Sequence, residues 1–444
     1  MTVASNSVQL SAQQQAIYDR IELTQEHLFI TGRAGTGKST ILHHFAQHSS
    51  KTIAVCAPTG VAALNVGGQT IHSLLRLPTG VIADHPLPQP RELKKLIKAL
   101  DTLVIDEISM VSADLMDGID RALRQARERR NDPFGGVQIV MFGDPYQLPP
   151  VPPRDPEEYA YFKDTYRSLW FFDALVWQTT PVSVVELTEI HRQKDTRFKD
   201  ILSAVRVGNV DASMAGELNA AGARPHPTDG IITLAATNRV VSQINQTRLD
   251  KIAGRVLKAE AEITGVFKEN SFPAEQTLEL KVGAQVMFLR NDSDGRWVNG
   301  TIGTVSRVSG TVWVEIDGEE HEIEPTSWQR YQYQYDPETK KLEKEIVAEF
   351  EQFPLRLAWA VTIHKSQGHT YDSALVDLGP RAFSAGQTYV ALSRVRSLEG
   401  LYFSRDLQPS DIIVDRNVTR FMEQQLQLGT GLDRANDRAK LLLN

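Results

Sequence analysis

Hydrophobic residues along this chain follow two rhythms. Through roughly the first 140 residues, short apolar runs alternate with segments whose apolar positions recur at helical spacing. Phe29-Ile30, Thr52-Ile53-Ala54-Val55, Thr102-Leu103-Val104-Ile105 and Val137-Gln138-Ile139-Val140-Met141-Phe142 read as strands apolar on both faces, as a helix-covered parallel sheet requires. Between the last two, 112–130 predicts an amphipathic helix with Leu115, Ile119, Leu123 and Ala126 on one face. Its end, Arg127-Glu128-Arg129-Arg130, reads better as a solvated helix terminus than as a DNA-facing patch. Pro78, Pro86, Pro88 and Pro90 mark a surface excursion.

After a stretch rich in proline and aromatics at 146–181, a second α/β series begins. Ile231-Ile232-Thr233-Leu234 and Ala374-Leu375-Val376-Asp377-Leu378 are its buried-strand candidates. Between them, 301–350 alternates apolar and polar residues, and Asp317-Gly318 supplies a hairpin turn, predicting a small antiparallel module inserted into the second series. Tyr331, Tyr333 and Tyr335 share one strand face there. Hairpin packing suits them better than a base-stacking platform.

Length and composition narrow the class. A chain of 444 residues predicts two to four domains, and 41% hydrophobic with 23% charged residues is the balance of a water-soluble globular protein. No apolar run is long enough for a membrane span. The opening Met1-Thr2-Val3-Ala4-Ser5-Asn6-Ser7 lacks the features of a secretion signal, so a cytoplasmic, nucleoid-associated protein is expected. The lone Cys56 sits in an apolar run and predicts a buried structural thiol. A net charge of -7 gives no support to a nucleic-acid partner, although a local basic channel would suffice for one.

The chemistry begins at Gly32-Arg33-Ala34-Gly35-Thr36-Gly37-Lys38-Ser39, which fits the phosphate-binding loop pattern and lies between a predicted strand and a predicted helix. Free backbone N–H groups and the positive helix end would face phosphates there. Lys38 supplies a point charge to the β and γ phosphates, and Ser39 offers a hydroxyl to Mg²⁺. About seventy residues later a strand ends in Asp106-Glu107. Asp106 would hold the metal and Glu107 would orient and deprotonate the attacking water. Gln147 leaves the next strand at the sheet's ligand-binding edge. It either reports the γ-phosphate or belongs to a rigid turn built by its neighbouring prolines.

Asp106-Glu107-Ile108-Ser109-Met110, Pro133-Phe134-Gly135-Gly136 and Gly143-Asp144-Pro145-Tyr146-Gln147-Leu148-Pro149-Pro150-Val151 resemble two motifs of the petite-integration-frequency (PIF-type) DNA helicases, superfamily-one motors of the RecD-like branch. Leu10-Ser11-Ala12-Gln13-Gln14 resembles their adenine-reading motif, with Gln14 against the base. Ala57 to Ala63 and Thr70-Ile71-His72-Ser73 resemble a strand-gripping motif. Leu187 to Gln193 resembles the fourth motif, Leu357 to Gly368 the fifth, and Tyr389 to Arg396 the sixth. The resemblance covers about residues 8–405 in the right order. Two departures are visible: Pro145-Tyr146 where the family often has two aromatics, and His191 in place of an aromatic before Arg192.

The resemblance implies an α/β fold of two RecA-like P-loop motor domains: 1–180 with a small insert near 76–92, and 181–300 with 356–430. An SH3-like β module at 301–355 and a tail at 431–444 complete the expectation. ATP and Mg²⁺ are the implied cofactors, bound between the motors. Gln14, Gly35, Thr36, Gly37, Lys38, Ser39, Thr40 and Gly368 would hold the nucleotide, and Ser39 and Asp106 the metal. Lys38, Glu107, Gln147 and the arginine fingers Arg192 and Arg394 would be catalytic. Single-stranded DNA would meet Pro58, Thr59, Gly60 and His72 on one motor and His364, Lys365 and Ser366 on the other. The implied activity is 5′-to-3′ translocation by a monomer and unwinding of duplex or forked DNA with a 5′ tail. The competing expectation is an ATP-dependent nucleic-acid-binding switch that does not unwind.

Overall fold

The computed structural model describes residues 10–425 except 79, 83–86, 154, 194, 228, 268–271 and 337–340. Pro86 and the tail from 431 therefore lie outside the described residues. The chain divides into two compact units: 1–191 with 332–345 and 414–444, and 192–331 with 346–413.

The first unit is built on a six-stranded parallel sheet: β1 (His27–Gly32), β2 (Ile53–Ala57), β3 (Gln69–Thr70), β4 (Thr102–Ile105), β5 (Gln138–Phe142) and β6 (Val182–Leu187), in spatial order β3-β2-β4-β5-β1-β6. The four strands expected from the apolar runs are thus present. Beneath the sheet, Ile17 and Ile21 of α1 (Ala12–Leu23) and Ile41, Leu42 and Phe45 of α2 (Lys38–His48) pack on Leu28, Ile30, Val104 and Val140. Two short helices, α3 (Gly60–Asn65) and α4 (Ile71–Leu75), follow β2 and β3, and α5 (Arg91–Ala99) precedes β4. The amphipathic segment at 112–130 forms α6 (Ala113–Arg127), capped by Ser112 and ended by Glu128 in the left-handed region. The basic residues at its end are engaged with the protein: Arg124 pairs with Asp120 at 2.7 Å and Arg127 donates to the Leu100 carbonyl at 2.9 Å. Cys56 is fully buried, as expected. Within the proline excursion, the described Ile82 is 1% exposed and its N–H donates to Asp114 at 2.6 Å.

Three boundaries differ from the sequence expectation. Residues 181–191 belong to the first unit, because β6 pairs with β1 over His27↔Val182 to Gly32↔Leu187. Residues 414–425 return to it as well: Phe421 stacks on Phe172 at 4.2 Å, and Trp170 Nε1 donates to Asp415 at 2.8 Å. Residues 332–345 also count with the first unit. There the Tyr333 hydroxyl accepts from the Val55 N–H at 3.1 Å, while Lys344 donates to the Gly67 carbonyl. Tyr333 is 6% exposed, so it is a packing residue and no stacking platform.

The second unit carries a four-stranded parallel sheet of β7 (Ile232–Ala235), β18 (Ala360–Thr362), β19 (Ala374–Asp377) and β20 (Leu401–Phe403), in order β18-β7-β19-β20. Between β7 and β18 runs an antiparallel excursion. Strands β8 (Leu257–Glu260) and β10 (Thr277–Leu280) pair together, and β9 (Glu262–Gly265) joins β15 (Thr326–Asp336) and β16 (Lys341–Gln352). The five-stranded sheet of β11 (Gln285–Phe288), β12 (Ile302–Val308), β13 (Val312–Ile316), β14 (Glu319–Ile323) and β17 (Leu355–Leu357) holds part of the β module expected at 301–355 and begins before it, while β15 and β16 of that span lie in the separate sheet with β9. Asp317 and Gly318, both at positive φ (51° and 86°), make the β13–β14 turn that the Asp-Gly pair predicts. Phe288 and Trp297 stack at 4.5 Å in its core. Among the described residues, no helix is long and apolar enough to cross a membrane.

Candidate nucleotide and nucleic-acid sites

In the first unit, β1 runs directly into the phosphate-loop sequence, and α2 starts at Lys38. Gly35 and Gly37 sit at φ 83° and 82°, where a side chain is disfavoured. A Cβ at Gly37 would also collide with Gln14 Nε2. Gln14 is therefore packed directly against the loop, 6% exposed, with its Oε1 accepting from the Ser11 N–H at 2.9 Å in a capping box. Lys38 Nζ donates to the carbonyls of Gly32 at 2.7 Å and Arg33 at 3.1 Å. Thr36 is buried and donates to the Arg33 carbonyl at 2.9 Å. Ser39 is exposed and Thr40 half-buried, both in the first turn of α2.

Asp106 follows β4, its N–H tied to the Cys56 carbonyl at 2.9 Å. Its carboxyl is pushed up to about 7, chiefly by burial and then by the charge of Glu107, against a smaller pull from Lys38. Glu107 has a left-handed backbone, φ 50° and ψ 44°, uncommon for a residue with a side chain. Gly143 and Asp144 follow β5. A Cβ at Gly143 would lie 2.8 Å from the Ile108 side chain, so the Asp106–Met110 turn and the 143–147 turn are packed together. Asp144 accepts from the Tyr146 N–H at 3.2 Å and, through its carbonyl, from the Gln147 N–H at 2.9 Å. Gln147 is thus held in a tight turn and is 8% exposed.

The DNA-contact candidates of this unit sit at helix starts after β2 and the neighbouring edge strand β3. Thr59 caps α3 through Ala62 N–H at 3.3 Å, and Thr70 caps α4, on which His72 lies. Pro58, Thr59, Gly60 and His72 are half-buried, and neighbouring Val61 is 47% exposed.

In the second unit, three motifs that are distant in sequence converge. Arg192 donates to the Ser393 carbonyl at 3.3 Å and the Gly368 carbonyl at 3.5 Å. Gln193, 2% exposed, donates to the carbonyls of Ser393 and Val395. Sequence reasoning gave Gln193 no role, and its only signal was its place next to Arg192. Arg394, expected as a finger, is 2% exposed, and every guanidinium nitrogen is engaged within this unit. Nε donates to the Val390 carbonyl, one terminal nitrogen to the carbonyls of Ser366 and His369, and the other to Ser393 Oγ. It ties the fifth motif to the sixth. Gly368 stands at φ 82° in the loop that this tie holds.

His364 and Lys365 are exposed, but protein on one side depresses both, with Arg356 adding to the effect on Lys365. Ser366, expected as a DNA contact, is fully buried, and its hydroxyl donates to the Ile363 carbonyl at 2.7 Å.

Comparison with known proteins supplies the family context. A family model described as PIF1-like helicase matches residues 9–216, and one described as DNA helicase Pif1, 2B domain, matches 268–308. The ATP-dependent DNA helicase Pif1 of Bdellovibrio bacteriovorus is 34% identical over 94% of this chain and 93% of its own length. The human ATP-dependent DNA helicase PIF1 is 35% identical over 95% of this chain, which spans 64% of the human protein. A crystal structure of Bacteroides sp Pif1 in complex with ADP-AlF4 matches with a TM-score of 0.88 at 36% identity, covering 95% of this chain and 98% of that one.

Proposed function

We infer that this chain, which belongs to the PIF1-like helicase family, is an ATP-driven helicase that moves 5′ to 3′ along single-stranded DNA and opens duplex, forked or structured DNA. The observation that carries this reading is the phosphate loop at Gly32–Ser39 in one unit with the Asp106-Glu107 pair and the Gln147 turn.

The loop's N–H groups and the start of α2 cradle the phosphates, and Lys38 exchanges its carbonyl partners for phosphate oxygens. The Ser39 hydroxyl and the Asp106 carboxylate are hard oxygen donors of the kind Mg²⁺ takes alongside phosphates. A cation there would also favour the charged form of Asp106 against the burial and the Glu107 charge that raise it. Bound Mg²⁺ would supply neutralisation of phosphate charge. Glu107, aimed by its left-handed backbone, accepts the proton of the attacking water, and Gln147 orients that water. Gln14 holds the adenine. Arg192 supplies positive charge to the transferred phosphoryl group, while Arg394 acts mainly by holding the fifth and sixth motifs in place.

Pro58, Thr59, Gly60, His72, His364 and Lys365 hold the strand by its backbone, so little sequence preference is expected. Opening one base-pair step costs about 1.4 kcal/mol on average, a modest load for a nucleotide-driven step. The 76–92 segment takes the place of a strand-separating insert. Measuring ATP turnover with and without single-stranded DNA, beside unwinding of a 5′-tailed duplex, tests the reading.

A further inference from the structure

The second unit contains a cation that none of the motifs above uses. Arg356 is the middle residue of β17, opposite Met287 of β11. Its Nε is buried and, among the described residues, has no hydrogen-bond partner. Burial depresses its guanidinium. The groups around it are of mixed charge, with one cation, one carboxylate and an imidazole that is neutral at pH 7. Lys365 is depressed by burial and then by Arg356, and His369 is pushed down to about 4 by burial, then by Arg356 and Arg394. Glu275 is the carboxylate acting on Arg356 and Lys365. Tyr371 offers Arg356 no acceptor of full strength, since its hydroxyl is directed at Met287 Sδ at 3.5 Å and burial keeps it protonated.

A guanidinium with a buried donor left unpaired opposes folding unless something compensates it. A phosphodiester supplies oxygen acceptors matched to the guanidinium fork, and its negative charge suits the Arg356 and Lys365 pair, which shares the one carboxylate Glu275. Lys365 is exposed and Arg356 is half-buried with its Nε closed to solvent, so a strand can reach Lys365 and the accessible part of Arg356.

We propose that Arg356 is a backbone ligand of single-stranded DNA, gripping a phosphate next to the one held by Lys365. This rests on the helicase reading above. It adds to that reading a contact upstream of the fifth motif, reached from the β module through β17.

The test compares the full chain with Arg356→Gln, Arg356→Lys and Lys365→Ala, using anisotropy of a labelled oligothymidylate across a salt series. Arg356→Gln should weaken binding by about tenfold. It should also shrink the slope of log K against log salt by about 0.7, the share of one phosphate on a single strand. Arg356→Lys should keep the slope. Because a buried unpaired donor is removed, Arg356→Gln should melt no lower than the parent. An unchanged affinity and slope would overturn the proposal. So would a lowered melting temperature with unaltered binding, which would make Arg356 a structural residue. A loss confined to affinity for a fluorescent ATP analogue would also overturn it, by assigning the phosphate to the nucleotide. Failure of the parent to bind the oligonucleotide at all would instead sink the helicase reading.

Discussion

Arg394 donates to the Ser366 carbonyl at 3.3 Å, so a residue of the sixth motif fixes the backbone of the fifth. With further bonds to Val390, His369 and Ser393, this guanidinium is a buried clasp inside the second unit. Arg394→Ala should therefore destabilise the protein by about 3 kcal/mol, because it leaves several buried carbonyls without donors. Arg192→Ala removes two longer bonds and should cost under about 1.5 kcal/mol of stability. It should nonetheless slow DNA-stimulated turnover by roughly 10³-fold or more. Thermal melting alongside ATPase assays separates the two; equal melting losses would contradict the distinction.

Glu107 combines a chemical task with a strained backbone at φ 50°. Glu107→Gln should preserve folding and slow turnover by about 10²–10⁴-fold. Glu107→Gly should be equally inactive yet more stable than the parent by up to about 1 kcal/mol, since glycine adopts this conformation without penalty. Denaturant titration of both variants checks the sign, and a less stable glycine variant would show that Glu107 is held by contacts rather than strained.

Asp106 predicts a pH dependence of defined sign. Its folded value of about 7 lies above that of an unfolded aspartate, about 3.9. The folded protein therefore holds a proton that the unfolded chain has released, and this group's contribution to stability falls as pH rises from about 4 to about 7. Asp106→Asn should raise the melting temperature of the nucleotide-free protein more at pH 8 than at pH 5. A melting gain independent of pH would show that Asp106 is ionised at both.

Gly37 is constrained twice, by its φ of 82° and by Gln14. Gly37→Ala should displace Gln14 and abolish binding of a fluorescent ATP analogue. Gln14→Ala should weaken adenine nucleotides while leaving inorganic triphosphate unaffected. Calorimetry with ATP and triphosphate distinguishes the two effects.

How far the sequence anticipated these relationships depended on how local they are. The loop at Gly32–Ser39 and the Asp106-Glu107 pair were legible because strand, turn and helix signals lie within a few residues of each other. The Asp317-Gly318 turn was legible for the same reason. The boundary near 180 was not, because the half-buried residues of β6 do not form the fully buried run that marks an inner strand. The placement of 332–345 depends on Tyr333 meeting Val55, a contact 278 residues apart with no local signature. Ser366 and Arg394 were recognisable as motif residues, but their types alone did not reveal that both are buried.

The central claim is that hydrolysis at the Gly32–Ser39 loop drives movement along DNA. Its most direct test is ATPase turnover with and without single-stranded DNA, run beside strand separation of a 5′-tailed duplex, for the parent and Lys38→Ala. The account predicts DNA-stimulated turnover and unwinding in the parent, with both lost in Lys38→Ala while DNA binding persists. Turnover indifferent to DNA, with no strand separation, would contradict it and leave an ATP-dependent switch in its place.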